Sequence, residues 1–391
     1  MKVTQLWELM NLTTKETLGT ETVVNEDLSN IVDIGKEIIN TDNLDNYVKK
    51  LVNHIGKVVF SDRLYKVGVP SVMMDSWEYG SILEKVTIDM PKATVNETWE
   101  LEDGKDYSPD VFYKPSVSAK FFNSLTTFEI PLSITERQVK ESFSNANQLN
   151  GFISALKTSV ENAITVKYDN LIMRTINNMI AEVLANDLDS DKDGTLNFAN
   201  GTLRAVNLLQ GFNANRAVGD KVTVANAMSN ADFIKYVAYQ IGLVSDRMSR
   251  LSTLFNVGGK EKFTPKDLQH VVMLSDFVAS SEVYLLADTQ NADRITLPKN
   301  VETVPFWQGS GTAYAQEDIT RINVKTSSGK TVNATGVIGV IFDREALGVT
   351  NLDRRVTTNY NPKAEFWNNF YKFEAGFYND LNENFVVFYM A

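Results

Sequence analysis

The most regular pattern in the chain is a long run of apolar residues at three- and four-residue spacing across residues 147–186. No proline interrupts this run, and it contains no glycine after Gly151. Such spacing places one apolar stripe along an α-helix. At about 1.5 Å per residue the helix would span about 50–60 Å, which is longer than most globular helices. The stripe consists of Leu149, Phe152, Ile153, Leu156, Val160, Ala163, Ile164, Tyr168, Leu171, Ile172, Ile176, Met179, Ile180, Val183 and Leu184.

The segment before this helix, residues 77–131, is extended, charged and poor in core residues. Apolar and polar residues alternate over residues 84–89 and again over residues 117–130, which predicts two strands. Turn signals lie between them at Asp103-Gly104 and at Ser108-Pro109. We therefore predict a long β-hairpin. Because an isolated two-stranded hairpin is only marginally stable in water, we expect it to lie on a partner surface.

Weaker patterns predict the remaining elements. In chain order they are a polar arm at the start, helices over 26–40 and 44–55, a strand over 67–74 interrupted by Pro70, a helix from Ser229 through Leu254 that stops at Val257-Gly258-Gly259, a strand over 270–278, a short helix over 282–286, and strands over 336–342 and 385–389. The last stretch, residues 365–391, is rich in aromatic residues. We expect such an apolar terminus to be buried in a sheet or an interface.

The composition narrows the class of protein. With 391 residues, the chain is expected to form two or three lobes, each with its own core. The hydrophobic fraction of 43% and the charged fraction of 22% are ordinary for a soluble globular protein, and no apolar run approaches the length of a membrane span. The absence of cysteine excludes disulfides, thiolate metal sites and cysteine nucleophiles, and it is compatible with a cytoplasmic origin.

The net charge of the chain argues against a nucleic-acid-binding protein. The formal net charge is −11, whereas phosphate contacts require clustered lysine and arginine. The densest basic spots are the pairs Lys49-Lys50 and Arg354-Arg355. We interpret each pair as solvated surface.

The sharpest local motif is a possible calcium loop that begins at Asp189. Asp189, Asp191 and Asp193 alternate along the chain and are followed by Gly194, as in the first half of a calcium-binding loop. The position that usually supplies the closing bidentate glutamate is Asn200, and no clear helix follows. The favoured interpretation is an acidic surface turn. Calcium held by these three carboxylates is the alternative, and we expect no other cofactor.

No pattern in the sequence indicates catalysis. The two histidines, His54 and His270, lie far apart and have neither metal-ligand nor triad spacing. The glycines at 258–259 and at 309–311 lack the spacing and context of phosphate-binding loops, and are read as turns. We therefore expect no enzyme activity.

The order of these elements resembles that of the major capsid proteins of tailed bacteriophages, which have the Hong Kong 97 fold. Residues 77–131 resemble the extended loop of that fold, and residues 144–186 resemble its spine helix. The strand at 337–343 and the terminus through Phe388-Tyr389 are similar to the end of such head proteins. The resemblance covers nearly the whole chain, and it rests on element order and not on a catalytic signature.

The resemblance implies an α+β fold with five parts. These are an N-terminal arm with helices over 1–60, a peripheral domain with the spine helix over 61–76 and 131–200, an extended β-hairpin loop over 77–130, an axial domain over 201–335, and return strands of the peripheral domain over 336–391. The arm and the hairpin would lie across neighbouring subunits. This agrees with the physics of a hairpin that has little core of its own and gains stability by covering a neighbour in a closed shell.

The resemblance also implies a function and a set of partners. The chain would self-assemble as hexamers and pentamers into the icosahedral head shell of a virion, in the host cytoplasm and without contact to a membrane. Its other partners would be a scaffolding protein, a portal and minor capsid proteins, together with double-stranded DNA that is enclosed without sequence-specific binding. We do not predict the covalent cross-linking of some relatives, although Lys85, Lys92 and Lys105 lie on the hairpin.

Two other functions remain open at the level of sequence. An encapsulin-like compartment shell has the same fold and would enclose a protein cargo. A calcium-dependent binding module would depend on Asp189, Asp191 and Asp193. A hydrolase of unrecognised type is disfavoured by the absence of cysteine and of any catalytic motif.

Overall fold

The computed structural model describes residues 3–18, 46–47, 50, 68–74, 82–107, 109–110, 112–135, 146–189, 195–286, 301–308 and 318–391. The helix predicted over 26–40 and most of the helix predicted over 44–55 lie outside these residues, as does His54. The fold is α+β. No described helix is long and apolar enough to cross a lipid bilayer.

Helices and strands are interspersed along the described parts of the chain. The helices are α1 (Val3–Leu18), α2 (Ala146–Leu188), α3 (Leu208–Asn213), α4 (Val224–Ala227), α5 (Ala231–Met248) and α6 (Ser275–Leu286). The strands are β1 (Leu83–Ile88), β2 (Val117–Phe122), β3 (Leu125–Thr135), β4 (Ala205–Asn207), β5 (Gln269–Leu274), β6 (Val301–Val304), β7 (Ile322–Lys325), β8 (Thr331–Ala334), β9 (Val337–Asp343), β10 (Leu347–Asn361), β11 (Phe366–Asn379) and β12 (Phe385–Tyr389).

The chain forms two compact units. The first comprises Met1–Glu78, Leu125–Arg174 and Val349–Gly376, and the second comprises Tyr79–Ser124, Thr175–Gly348 and Phe377–Ala391. Each unit is therefore built from three separate stretches of chain. The division into five parts that the resemblance implies stays a prediction.

The predicted long helix is confirmed as α2, which is 43 residues long. In the first unit Val160, Ile164 and Tyr168 form the expected buried stripe. From Thr175 onward most positions on every side of the helix are buried, so the single predicted stripe becomes a fully enclosed segment. Asn177 fits there because its Nδ2 donates to the Trp307 carbonyl at 2.6 Å.

The core of the second unit is a mixed five-stranded sheet in the order β4-β12-β9-β5-β6. Strands β9 and β12 pair antiparallel at its centre and are buried at every residue, as expected for continuous apolar runs covered on both faces. Gly336 precedes β9 with a φ of +77°, and a Cβ there would lie 2.1 Å from the Met390 carbonyl oxygen. Only glycine permits this approach of the two chain segments.

The first unit contains a three-stranded sheet in the order β10-β11-β3. Strands β3 and β11 pair antiparallel, with Phe128 opposite Phe373 and their rings stacked at 5.3 Å. Tyr168 of α2 meets Phe128 edge-on at 5.7 Å, and its hydroxyl donates to Asn351 Oδ1 at 2.7 Å. The first half of the long helix is thereby joined to this sheet.

Several local predictions are wrong. The N-terminal polar arm is the helix α1, whose Met10, Thr13 and Thr14 are buried at helical spacing. The predicted strand at 67–74 contains a 3₁₀ turn over Pro70–Val72, because proline at the first position favours a helical φ. Strand β10 was not predicted at all.

Two more predicted elements have different boundaries. Helix α5 ends at Met248 and not at Leu254, because the Ser249 hydroxyl donates to the Asp246 carbonyl and the chain turns there. The strand predicted over 270–278 is divided into β5 and the start of α6, which begins at Ser275. In both cases the apolar run continues past the end of the element.

Candidate assembly surface

The predicted hairpin is confirmed by strands β1 and β2. They pair antiparallel from Leu83 opposite Phe122 to Ile88 opposite Val117. The second predicted strand, however, does not continue in this hairpin. After Phe122 the chain enters β3, which pairs with β11 instead, so the alternating run over 117–130 is shared by two different sheets.

The hairpin has two unlike faces, because directly opposed residues in an antiparallel pair lie on the same side. We call the first the outer face, and it consists of Glu84, Val86, Ile88, Val117, Ala119 and Phe121. We call the second the inner face, and it consists of Leu83, Lys85, Thr87, Ser118, Lys120 and Phe122. The outer face is mostly apolar and the inner face is mostly polar.

The burial of the two faces is the reverse of the usual arrangement. On the outer face Val86 is 56% exposed, Ile88 68% and Phe121 65%. On the inner face Lys85 is only 13% exposed. A strand that covered its own core would bury the apolar side chains and leave the lysines in water. This hairpin largely covers Lys85 and leaves the apolar side chains of its outer face uncovered.

The inner face is held by a group of charges that we call the lysine–carboxylate cluster. Its members are Lys85, Lys120, Lys262, Glu345, Asp380 and Glu383. Lys85 Nζ lies 2.6 Å from Glu383 Oε1, 3.1 Å from Asp380 Oδ2 and 3.2 Å from Glu345 Oε2. Lys120 Nζ lies 2.7 Å from Asp380 Oδ1, and Lys262 Nζ lies 2.8 Å from Glu383 Oε1.

Burial and the neighbouring charges shift the pKa values of Lys85 and Asp380. Burial acts to lower the pKa of Lys85, but the hydrogen bond to Glu383 and the nearby Asp380 and Glu345 outweigh it, so the pKa lies above the ordinary lysine value. Burial acts to raise the pKa of Asp380, and the hydrogen bond from Lys120 with the charge of Lys85 outweighs that effect and lowers it. Both groups are therefore charged at neutral pH.

The connection between the strands, described at residues 89–107, 109–110 and 112–116, forms an exposed tip. Trp99 is 93% exposed, and Phe112 and Tyr113 are each 83% exposed. The predicted turn at Asp103-Gly104 is confirmed, with Gly104 at a φ of +84°. Residues 96–110 carry six acidic side chains against Lys105, so the tip is acidic as well as aromatic.

The sequence candidates for a metal site are only partly described. Asp189 is buried and forms an ion pair with Lys330, while Asp191 and Asp193 lie outside the described residues. Among the residues that the structure covers, no group of three or more His, Asp or Glu side chains is arranged to hold a metal ion. Calcium binding by Asp189, Asp191 and Asp193 stays a prediction.

The remaining candidates have structural surroundings. His270 lies on β5 with its ring 5.9 Å from that of Phe342. Lys85, one of the three hairpin lysines considered for cross-linking, is held as a charged group among carboxylates, and a protonated amine is not a nucleophile. Sequence reasoning missed the cluster because Lys85, Lys262 and Glu383 belong to three distant parts of the chain.

Comparisons with known proteins agree with this fold. The capsid of Staphylococcus phage Andhra has a chain that is 9% identical, and the match covers 85% of this chain and 87% of that chain with a TM-score of 0.50. A chain in the capsid of the cyanophage P-SCSP1u is 12% identical over 85% of this chain and 90% of that chain, with a TM-score of 0.42. A comparison with curated proteins found no match.

A family model decides the assignment. The model of the Phi29-like phage major capsid protein matches residues 10–389, which extend from within α1 to the last residue of β12. The predicted resemblance to tailed-phage head proteins is thus confirmed over almost the whole length. This chain belongs to the Phi29-like phage major capsid protein family.

Proposed function

We propose that the outer face of the hairpin is the surface by which each subunit joins its neighbours in the phage head shell. The chain is a major capsid protein, and such a protein self-associates into a shell. The observation that carries the proposal is the exposed apolar outer face, which has Val86, Ile88, Val117 and Phe121 each more than half exposed. An apolar patch of this kind on a soluble subunit is characteristic of an interaction site.

The energetic argument favours a protein partner. Fully burying one such side chain contributes about 1.5–3 kcal/mol. The inner face cannot provide this gain, because its lysines are already paired with carboxylates of the same chain. A neighbouring copy supplies the missing cover, and contacts of one copy with a different surface of the next can close into a shell.

The finer features of the shell belong to the same proposal. Copies assemble as hexamers and pentamers in the host cytoplasm, with a scaffolding protein, a portal and minor capsid proteins, and the shell encloses double-stranded DNA. The net charge of −11 supports enclosure without adhesion, because an anionic wall repels the phosphate backbone. The family is one of structural capsid proteins, and this supports the proposal that the chain acts without catalysis.

The double variant Val86→Thr/Ile88→Thr tests the proposal. Threonine keeps the branched shape that strands favour but puts a hydroxyl on the outer face. We expect the free subunit to melt as the wild type does, since exposed substitutions usually change stability by less than about 0.5 kcal/mol. Shell formation should require a subunit concentration at least about tenfold higher, because each lost contact is worth about 1.5 kcal/mol or more.

The matched control is Val166→Thr on α2. Val166 is 57% exposed and Val86 is 56% exposed, so the two valines differ in place and not in burial. The control should assemble normally when both proteins are expressed with the other head proteins and examined by sedimentation and electron microscopy. Normal shells from the double variant at the wild-type concentration would contradict the proposal.

A further inference from the structure

The inner face of the hairpin places two positive charges directly opposite each other. Lys85 and Lys120 are paired residues in the register of β1 and β2. Like charges in opposed positions destabilise an antiparallel pair. The hairpin therefore needs negative charges from elsewhere in order to stay closed and in place.

Those negative charges come from two turns of the second unit. Asp380 and Glu383 lie between β11 and β12, and Glu345 lies between β9 and β10. The side chains of Asp380 and Glu383 are 1% and 4% exposed. A buried carboxylate that has no cation beside it raises the free energy of the folded state. The two turns are therefore stabilised by the hairpin lysines, just as the lysines are stabilised by the carboxylates.

Asp380 and Glu383 are also held by contacts that do not involve the hairpin. Asp380 donates its N–H to the Ala346 carbonyl at 2.7 Å, and its Oδ1 accepts from the Asn382 N–H at 3.1 Å. Glu383 also accepts from Lys262 at 2.8 Å. The two turns thus form a fixed platform at the centre of the lysine–carboxylate cluster.

Of the two hairpin lysines, Lys85 contacts more of these carboxylates. Its ammonium group has three donors, and three carboxylates lie within 3.2 Å of its nitrogen. A short aliphatic or uncharged residue at this position could not satisfy the buried acids. The inner face is also held by the ring contact of Phe122 with Tyr378 at 4.9 Å, and Lys85 adds the contact that depends on charge.

We infer that Lys85 is a positioning residue, which fixes the hairpin on the body of the subunit so that the outer face is presented to a neighbouring copy. The inference rests on the proposed role of the outer face. It adds that competence for assembly depends on an ionic contact on the opposite face of the hairpin from the proposed interface. The hairpin of a subunit without Lys85 would leave the platform and sample many orientations.

Hydrogen exchange on the unassembled subunit tests the inference without requiring a shell. In Lys85→Met, which keeps the aliphatic chain but removes the charge, we expect the amides of β1 and β2 to exchange about tenfold faster or more, because breaking a buried pair leaves uncompensated charge. The amides of β9 and β12 should not change. Lys85→Arg, which keeps the charge, should restore most of the protection.

Lys92→Met is the matched control. Lys92 lies on the same hairpin, is exposed and forms no ion pair with another residue that the structure describes. Its loss should leave exchange unchanged. Lys120→Met provides a milder second variant, since Lys120 is 41% exposed and contacts one carboxylate, and it should accelerate exchange by a smaller factor than Lys85→Met.

An assembly experiment then distinguishes a role of Lys85 in positioning the hairpin from a role in the stability of the subunit alone. Shells formed by Lys85→Met should be fewer and irregular in size under electron microscopy, while those formed by Lys85→Arg should be regular. Unchanged exchange in both Lys85→Met and Lys120→Met would overturn the inference. So would faster exchange combined with wild-type shells. Failure of the proposed function is recognised separately, by normal assembly of Val86→Thr/Ile88→Thr.

Discussion

The five-stranded sheet and the hairpin are both β-structure of the second unit, but they bury opposite kinds of residue. Strands β9 and β12 are apolar and buried along their whole length. In the hairpin the apolar side chains of Val86 and Ile88 are exposed, and the buried side chain is that of Lys85. The five-stranded sheet covers its apolar side chains within the chain, and the hairpin leaves those of its outer face exposed.

This difference shows how a shell subunit divides its hydrophobic surface. Residues that stabilise the subunit alone are enclosed by α-helices and neighbouring strands. The residues proposed to stabilise the shell lie on a hairpin that is attached to the body by the lysine–carboxylate cluster and by the ring contact of Phe122 with Tyr378. An ionic attachment fixes the position of the hairpin, and it leaves the apolar side chains of the outer face available for the proposed contact with a neighbour.

The largest contrast is expected between two phenylalanines. Phe342 of β9 is fully buried, and its ring stacks on Phe385 at 5.6 Å. Phe342→Ala should lower the free energy of unfolding by about 3–5 kcal/mol, because it removes apolar contacts and leaves a cavity.

The counterpart of Phe342 is Phe121 of the outer face, which is 65% exposed. Phe121→Ala should change the free energy of unfolding by less than about 0.5 kcal/mol while impairing assembly. Urea unfolding of the two variants checks both values. A similar loss in the free energy of unfolding in the two variants would contradict the view that the five-stranded sheet stabilises the subunit and the outer face does not.

A smaller effect is expected from pH on the five-stranded sheet. Burial lowers the pKa of His270 below 6.5, Arg344 lowers it further and Glu302 opposes them. His270 Nε2 is buried without a hydrogen-bond partner. Because the folded state resists protonation, the stability linked to this group is present above the ordinary pKa and is lost as the pH falls through the lower, folded pKa.

Melting temperatures between about pH 7.5 and about pH 5.5 check this expectation. The wild type should lose stability toward the acid end, and His270→Gln should lose less. The protection factors of the hairpin amides, which correct for the intrinsic pH dependence of exchange, should be flat over the same range, because the pKa of Lys85 is raised and that of Asp380 is lowered, both away from it. An equal acid loss in His270→Gln would assign the pH dependence to another group.

The smallest effect on the free subunit is expected from removing the central part of the tip, residues 96–110. The contacts that order this segment are largely local, such as the Glu102 N–H donating to the Tyr107 hydroxyl at 3.0 Å. The truncated subunit should therefore melt like the wild type in calorimetry, yet form no stable shells. Intact shells would show that the tip has no role in assembly, and a strong loss of melting temperature would show that it is part of the subunit core.

Local periodicity predicted the elements whose partners lie nearby or whose pattern is long. The helix α2 was visible as apolar residues at three- and four-residue spacing, the β1–β2 hairpin as alternation, and β9 and β12 as continuous apolar runs. The same reasoning missed β10 and misread α1. In α1 the buried positions include Thr13 and Thr14, which a hydrophobic pattern does not count.

The sequence by itself determined that this chain has a long helix, an incompletely covered hairpin and the order of elements of a phage head protein. Only the tertiary structure decided that the alternating run after Val117 is divided between two sheets, and that the hairpin faces its own body with Lys85 and Lys120. The physical reason is that periodicity is a property of neighbours along the chain. The choice of which face is covered depends on Glu345, Asp380 and Glu383, which lie more than two hundred residues away and meet the hairpin only in the folded subunit.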